Sequence, residues 1–394
     1  MSQPKPQFLI LFLLVSFGSV GAVLFTPALP AIQQFFQISV GQAQMTMTSY
    51  LVGYALGQLP YGPLANALGR KKTLYWGIWI SIAGCLLCAF SALNGSFGTL
   101  LFARFLQAFG ATVGLKISYT MVADTYDQTG ATRIISRFVL AFAVMPGIAI
   151  AIGGLLTQWF DWESCFYFLA LFGLFMLYLC KRLPETAKSI DRGHLKMGAV
   201  IEGYRSTLKN KILVICSFMM GCGGAIIYIF ASKSPFIGIT LIGLTPDKFG
   251  IYNLIPPIGM VVGSFIVTAL IGRPVIKIIY WSAIGALAAV LTMLIPFAVS
   301  GPTALSLFIP MAIIYLAQAI GYANISSYGL STAQNKSNAS AVFNFLNIST
   351  IVVSVLLSEL IFPESPLSLP LFFLFFFGLM LLLWSRLKKL SALI

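Results

Sequence analysis

The sequence predicts an all-α integral membrane protein, with twelve transmembrane helices arranged as two pseudo-symmetric six-helix bundles. Three observations predict it. Of 394 residues, 59% are hydrophobic and only 9% charged, with a mean hydropathy of +0.94, whereas a soluble domain carries roughly 25% charged residues. Apolar runs recur along the whole chain, each of the ~20 residues that cross a ~30 Å hydrocarbon core as a helix; a membrane β-barrel would show short alternating segments instead. The longest polar stretch, from Lys181 to Lys211, separates two sets of six runs.

The spans are 8–36, 42–66, 74–93, 97–122, 134–158 and 162–181, then 212–236, 247–270, 274–298, 302–324, 338–360 and 367–387. The first runs on past Pro27 and Pro30 without a small-residue cleavage site, so it reads as a retained helix. Ser39 and Thr245 suit N-caps of the second and eighth spans, and Pro246 suits the first turn of the eighth. The third, sixth, ninth and twelfth spans have no charge or amide in their interiors and are expected to face lipid. The second, fourth, seventh, eighth, tenth and eleventh carry Gln58, Arg104, Gln107, Lys116, Lys233, Asn253, Gln318, Asn344 and Asn347. Polar groups are too costly to turn toward hydrocarbon, so these spans are expected to surround something polar. The chain divides into an N-terminal bundle (1–181), a cytoplasmic linker (182–211) and a C-terminal bundle (212–394). Within the linker, His194 to Asn210 predicts a short amphipathic helix on the inner leaflet.

The halves echo each other. TPALPAI and SPFIGIT close the first and seventh spans 208 residues apart, and Gly69-Arg70 and Gly272-Arg273 leave the second and eighth 203 apart. Such repeats, with a site between them, are a common transporter plan. The net charge of +14 does not point to nucleic acid, because the basic residues fall mostly in loops on one side. These are Arg70, Lys71 and Lys72; Arg133 and Arg137; the linker; Arg273 and Lys277; Lys336; and Arg386, Lys388 and Lys389. The opposite loops carry Asp161, Glu163 and Glu364. The bias predicts that both termini are cytoplasmic.

Buried positive charge is the candidate chemistry. Arg104 lies about two turns inside the fourth span, and Lys116 follows roughly 18 Å further along the axis and about 120° around it. A guanidinium grips a carboxylate with two parallel bonds and stays charged, so a buried arginine without an acidic partner reads as an anion site. Equally, Arg104 could bond helix carbonyls and tie its helix to its neighbours. Lys116 reads as an anion ligand or as a snorkelling side chain, and Lys233 as snorkelling or lining an outer gate. Tyr50, Tyr54 and Gln58 form one polar stripe; Tyr315, Gln318 and Tyr322 a second; Asn344 and Asn347 a third. Each stripe can bind substrate or join helices, at about 0.6 kcal/mol per bond. None of the ten acidic residues falls at mid-membrane on these spans; Asp124 and Glu359, near helix ends, are the candidate proton carriers. His194, the only histidine, reads as a solvated loop residue. Cys85 and Cys88 read as packed small residues, so no metal or cofactor is expected. There is no Gly-rich nucleotide loop and no nucleophile–base pair, which argues against an enzyme.

Five segments carry a family resemblance: GPLANALGRKK (Gly62, Gly69, Arg70, Lys71, Lys72), RFLQAFGA (Arg104, Gln107, Gly110), MPGIAIAIGG (Pro146, Gly147, Gly153, Gly154), PALP and SPFIGI. With them the whole chain resembles a major facilitator superfamily transporter, of the drug-resistance branch nearest the bicyclomycin and chloramphenicol exporters. The resemblance implies a bacterial inner-membrane location and rocker-switch alternating access. It also implies a central cavity lined by spans 1, 4, 7 and 10, and a conformational lock in the loop after the second span. It makes Arg104 a common coupling position. The chain departs from the pattern at three places: Asn66 stands where relatives have an aspartate, Ala149 and Ile150 where antiporters carry a further proline, and the first span has no acidic residue. The primary expectation is a monomeric secondary transporter of a small organic anion, such as a polycarboxylate or carboxylate siderophore, with direction open. The alternative is a proton-coupled multidrug efflux antiporter; the remote one is a transporter-like sensor.

Overall fold

The computed structural model describes residues 6–187, 205–333, 336–361 and 364–391, and its regular structure there is entirely helical. In the first half these are α1 (Phe8–Val23), α2 (Leu29–Phe36), α3 (Val40–Gly57), α4 (Tyr61–Leu68), α5 (Arg70–Leu93), α6 (Phe97–Thr125), α7 (Gln128–Trp159) and α8 (Ser164–Cys180). In the second they are α9 (Lys211–Pro235), α10 (Pro246–Tyr252), α11 (Ile255–Ala269), α12 (Val275–Val299), α13 (Ala304–Ser331), α14 (Lys336–Leu360) and α15 (Ser368–Ser391). His194 and most of the expected linker helix lie outside the described residues; 205–208 form one helical turn.

Three expected spans are broken, each beside proline. Pro27 has no N–H to give the Val23 carbonyl, and a proline ring clashes with the carbonyl four residues back. So α1 stops at Val23, a 3-10 turn follows at Thr26–Ala28, and Thr26 Oγ1 donates to Val23 O at 2.8 Å in place of the missing amide. The second span breaks before α4, next to Pro60, and the eighth breaks between α10 and α11, ahead of Pro256 and Pro257. The seventh continues past Pro235 as a π turn, Phe236–Leu241.

Caps fix several starts. Ser39 and Gln42 form a reciprocal capping box on α3, and Asn210 Oδ1 accepts from Leu213 N at the start of α9. Asp127 caps α7, so that helix begins six residues before its expected span. Thr245 occupies the N-cap of α10, but its side chain makes no capping bond.

The chain forms two compact units, Met1–Lys196 and Met197–Ile394. In the first, α6 packs on α1, α3 and α5, while α5 also packs on α8 and α1 on α7. In the second, α13 packs on α9, α11 and α12, while α12 also packs on α15 and α9 on α14. Mapped onto the twelve spans, these are the same five pairings, so the pseudo-symmetry holds at the level of helix neighbours. Nine helical stretches among the described residues are long and apolar enough to cross a membrane, with shorter apolar helices at Val144–Trp159 and Ser164–Cys180.

Candidate functional site

Arg104 sits in α6 with no exposure at all. Its Nη1 donates to Gly21 O at 3.0 Å and to Gln107 Oε1 at 2.6 Å, its Nη2 to Ala22 O at 3.3 Å, and its Nε to Thr46 O at 3.5 Å. The guanidinium carbon lies 4.0 Å from the Phe25 ring centroid and 4.3 Å from that of Tyr50. Gly21 and Ala22 belong to the last turn of α1, where carbonyls have no intrahelical donor. Proline creates that end, and Arg104 caps it with a cation where the helix dipole favours one. This corrects the expectation of a fork open to a carboxylate: all but one of its N–H donors go to carbonyls and an amide. Tyr50 belongs to the same knot, its hydroxyl donating to Gly18 O at 2.7 Å, with the Tyr54 ring stacked 6.5 Å away. At Gly153 the α7 backbone passes against Leu24 O so closely that any side chain would collide with it.

Lys116, further along α6, is half-buried with its stem against Gly62 of α4. It makes no hydrogen bond or ion pair among the described residues. Gln58 ends α3, and its Nε2 is buried without a partner there. Thus Arg104, Gln107 and Tyr50 come together, while Lys116 and Gln58 stand apart from that knot.

A second cluster builds the α4–α5 turn. Gly69 adopts φ 91°, a region that favours glycine. Arg70 is then held by Asp124 at the end of α6, Nε to Oδ2 at 2.8 Å and Nη2 to Oδ1 at 3.3 Å, and by Ala65 O at 3.0 Å. Thr186 Oγ1 donates to the same Asp124 Oδ2 at 3.0 Å. Glu185 takes the N–H groups of Arg70 and Lys71 on its two oxygens, both at 3.0 Å, and so caps α5. Burial alone would raise the Glu185 pKa. The amides of Ala187, Lys71 and Arg70, with the Arg70 charge, outweigh it and hold the carboxyl below its usual range. Lys71 Nζ reaches Lys181 O at 2.9 Å. Asp124, expected as a candidate proton carrier, is therefore a structural anchor for Arg70. Glu185 and Thr186 were not singled out in the sequence; the signal was a carboxylate directly following a span whose opposite loop holds three consecutive cations. Asn66 is half-buried and makes no hydrogen bond among the described residues.

In the second unit Lys233 corrects another expectation. It does not snorkel: it is 2% exposed, between the buried Ser232 and Ser234 near the end of α9. Its Nζ lies 5.8 Å from the Phe372 ring centroid of α15. Glu359 of α14 is also 2% exposed, and α14 packs against α9. Gln318 Nε2 donates to Gly223 O at 3.2 Å, and the Tyr322 ring lies against Gly223. Tyr315 is half-buried on α13. Asn344 is exposed, with only a 3.5 Å contact to Ser340 Oγ, whereas Asn347 Oδ1 is buried without a partner among the described residues. Pro146 and the buried Gly147 and Gly154 lie within a continuous α7. No group of three His, Cys, Asp or Glu that could hold a metal occurs among the described residues, and the six cysteines are buried free thiols.

Membrane-length helices that bury cations and amides inside each bundle, beside proline-broken backbone, make a multi-pass membrane protein. Its family follows from comparison with known sequences. The Major Facilitator Superfamily profile matches residues 10–355, and the chain belongs to that superfamily. An MFS-type transporter of Bacillus subtilis, YdgK, is 28% identical over 92% of this chain and 90% of its own length. A bicyclomycin resistance protein homolog of Haemophilus influenzae is 27% identical over 68% of this chain and 67% of its own. The Haemophilus relative is named for drug resistance. The solved D-xylose–proton symporter shares the fold, with a TM-score of 0.76 at 13% identity over 95% of this chain and 96% of that one.

Proposed function

We propose that this protein is a proton-coupled exporter of small drug-like molecules across the bacterial inner membrane, with both termini cytoplasmic and Glu359 as the proton-carrying carboxylate. One observation carries the reading: among the described residues Glu359 is the one fully buried acidic side chain, on α14, which packs against the α9 that carries Lys233. Ionisable groups inside the membrane are costly and mark proton or substrate pathways. When Glu359 is ionised, Lys233 offsets its charge. When it is protonated, Lys233 is left as a cation among serines and an aromatic ring, so each protonation state favours a different packing of α9, α14 and α15. The drug-like substrate rests on the relative named for bicyclomycin resistance. The anion reading loses its main support because Arg104 has spent all but one of its donors; it survives through Lys116, which has no partner among the described residues.

The test uses proteoliposomes loaded with a pH-sensitive dye. Adding bicyclomycin or chloramphenicol should drive proton movement in the opposite direction, and Glu359→Gln should abolish that coupling while the protein still folds. Coupling that persists in Glu359→Gln removes Glu359 from the role. Proton movement with citrate and none with either drug returns the anion reading, with Lys116→Ala as its check.

A further inference from the structure

The second unit carries a groove that transport does not account for. On its surface α12 packs along α13, and with the turn that follows α11 they enclose a cleft of about 500 Å³, within the ~300–1,000 Å³ range of ligand sites. Its walls are apolar, from Leu270, Trp281, Leu316 and Ile320, and its mouth holds Arg273 and Lys277. Gly285 keeps it open: a Cβ built there would meet nothing within 4 Å. Trp281 is 66% exposed at the same site, as expected of an indole at the membrane–water boundary.

The two cations at the mouth are unmatched. Arg273 and Lys277 are exposed, and their side chains make no hydrogen bond or ion pair among the described residues. From 205 to 391 the acidic residues are Asp247, Glu359 and Glu364. Asp247 starts α10, at the far end of the span that Arg273 terminates; Glu359 stands at the end of α14 and Glu364 follows it. In the first unit the equivalent turn meets its cations with Asp124 and Glu185. Among the described residues of this unit nothing supplies an anion there, at the level where a spanning helix leaves the bilayer.

We infer that this groove binds an anionic phospholipid, with Arg273 and Lys277 on its phosphodiester and an acyl chain along the apolar walls. A planar guanidinium suits two phosphate oxygens, and basic pockets between spanning helices suit anionic headgroups. The Gly285 opening gives the chain its room, and charge complementarity selects the headgroup.

The experiment uses the purified full chain in detergent. It is titrated with phosphatidylglycerol, with phosphatidylcholine of the same acyl chains, and with inorganic phosphate; bound lipid is counted by native mass spectrometry and stability read by melting. Phosphatidylglycerol should bind and raise the melting temperature, phosphatidylcholine should do so at least fivefold more weakly, and phosphate should do nothing. Arg273→Gln with Lys277→Gln should erase that preference. Gly285→Leu, which fills open space and keeps both cations, should weaken phosphatidylglycerol binding at least fivefold and serves alone if the double variant does not fold. Lys388→Gln with Lys389→Gln should leave binding unchanged. Equal binding of both lipids, a preference that survives the double variant, or a phosphate shift equal to that of phosphatidylglycerol would each overturn the site.

Discussion

The first unit answers Arg104 and Arg70 with acceptors, Lys116 excepted, and the second leaves Lys233, Arg273 and Lys277 without one among its described residues. Arg104 ends on three carbonyls and an amide, and Arg70 on a carboxylate and a carbonyl. The second unit repeats the helix pairings but leaves Lys233 Nζ without a hydrogen bond among the described residues, and Arg273 and Lys277 without an anion. Duplicated architecture therefore does not mean duplicated electrostatics. Matched charge stiffens a bundle, because each buried cation holds several helices at once. Unmatched charge keeps a free energy that a proton, a substrate or a lipid can change.

The largest expected effect breaks the comparison at its strongest point. Arg104→Ala would orphan the Gly21 and Ala22 carbonyls and the Gln107 side chain, at a cost on the order of 3–5 kcal/mol for a disrupted buried charge network. Melting in detergent should fall sharply and transport should disappear. Arg104→Lys should recover part of the stability, because an ammonium keeps the charge but cannot span the same acceptors. Lys116→Ala, on the same helix, should melt close to the unsubstituted protein. If Arg104→Ala melts normally, the cation is not a support. Next comes Glu359→Gln, which should remove proton coupling with little change in melting, since it replaces a responsive group rather than a brace.

Much of this was legible in the sequence, and the misses have specific causes. Hydropathy placed the helices and the buried position of Arg104. It did not show what Arg104 touches, because the acceptors are carbonyls some 80 residues earlier, freed by a helix break at Pro27. The prolines were visible, but a hydropathy run does not register a missing amide donor, so three broken spans read as continuous. Lys233 was expected to reach for water; it stays inside because Phe372 and Glu359 lie on helices more than a hundred residues away. The Arg70 cluster was half legible: its cations stand in a recognisable motif, while Glu185 and Thr186 come from the far side of the bundle's sequence.

Glu185 sharpens the comparison through pH. Its folded pKa lies below the usual ~4.3 of a glutamate, so it contributes stability that is present above that value and lost as pH falls through the folded pKa. Glu185→Gln should lower the melting temperature at pH 7, by an amount typical of a lost helix cap at about 1 kcal/mol. It should also flatten the acid limb of the melting profile, since the titrating cap is gone. An unchanged acid limb would show that the α5 cap does not depend on the carboxylate.

The smallest expected effect lies at Gly69. Its φ of 91° is accessible to glycine and strained for alanine. Gly272, its echo in the second unit, has φ 87° and open space where a Cβ would sit. Both Gly→Ala changes therefore cost about 1 kcal/mol from backbone strain alone. Only Gly69→Ala also displaces a turn that aims Arg70 at Asp124 and Glu185. Its melting temperature should fall further than that of Gly272→Ala, and the excess should vanish when Asp124 is already Asn. Equal losses for the two glycines would mean that the matched cluster adds nothing to the turn, and that the two units differ in charge without differing in rigidity.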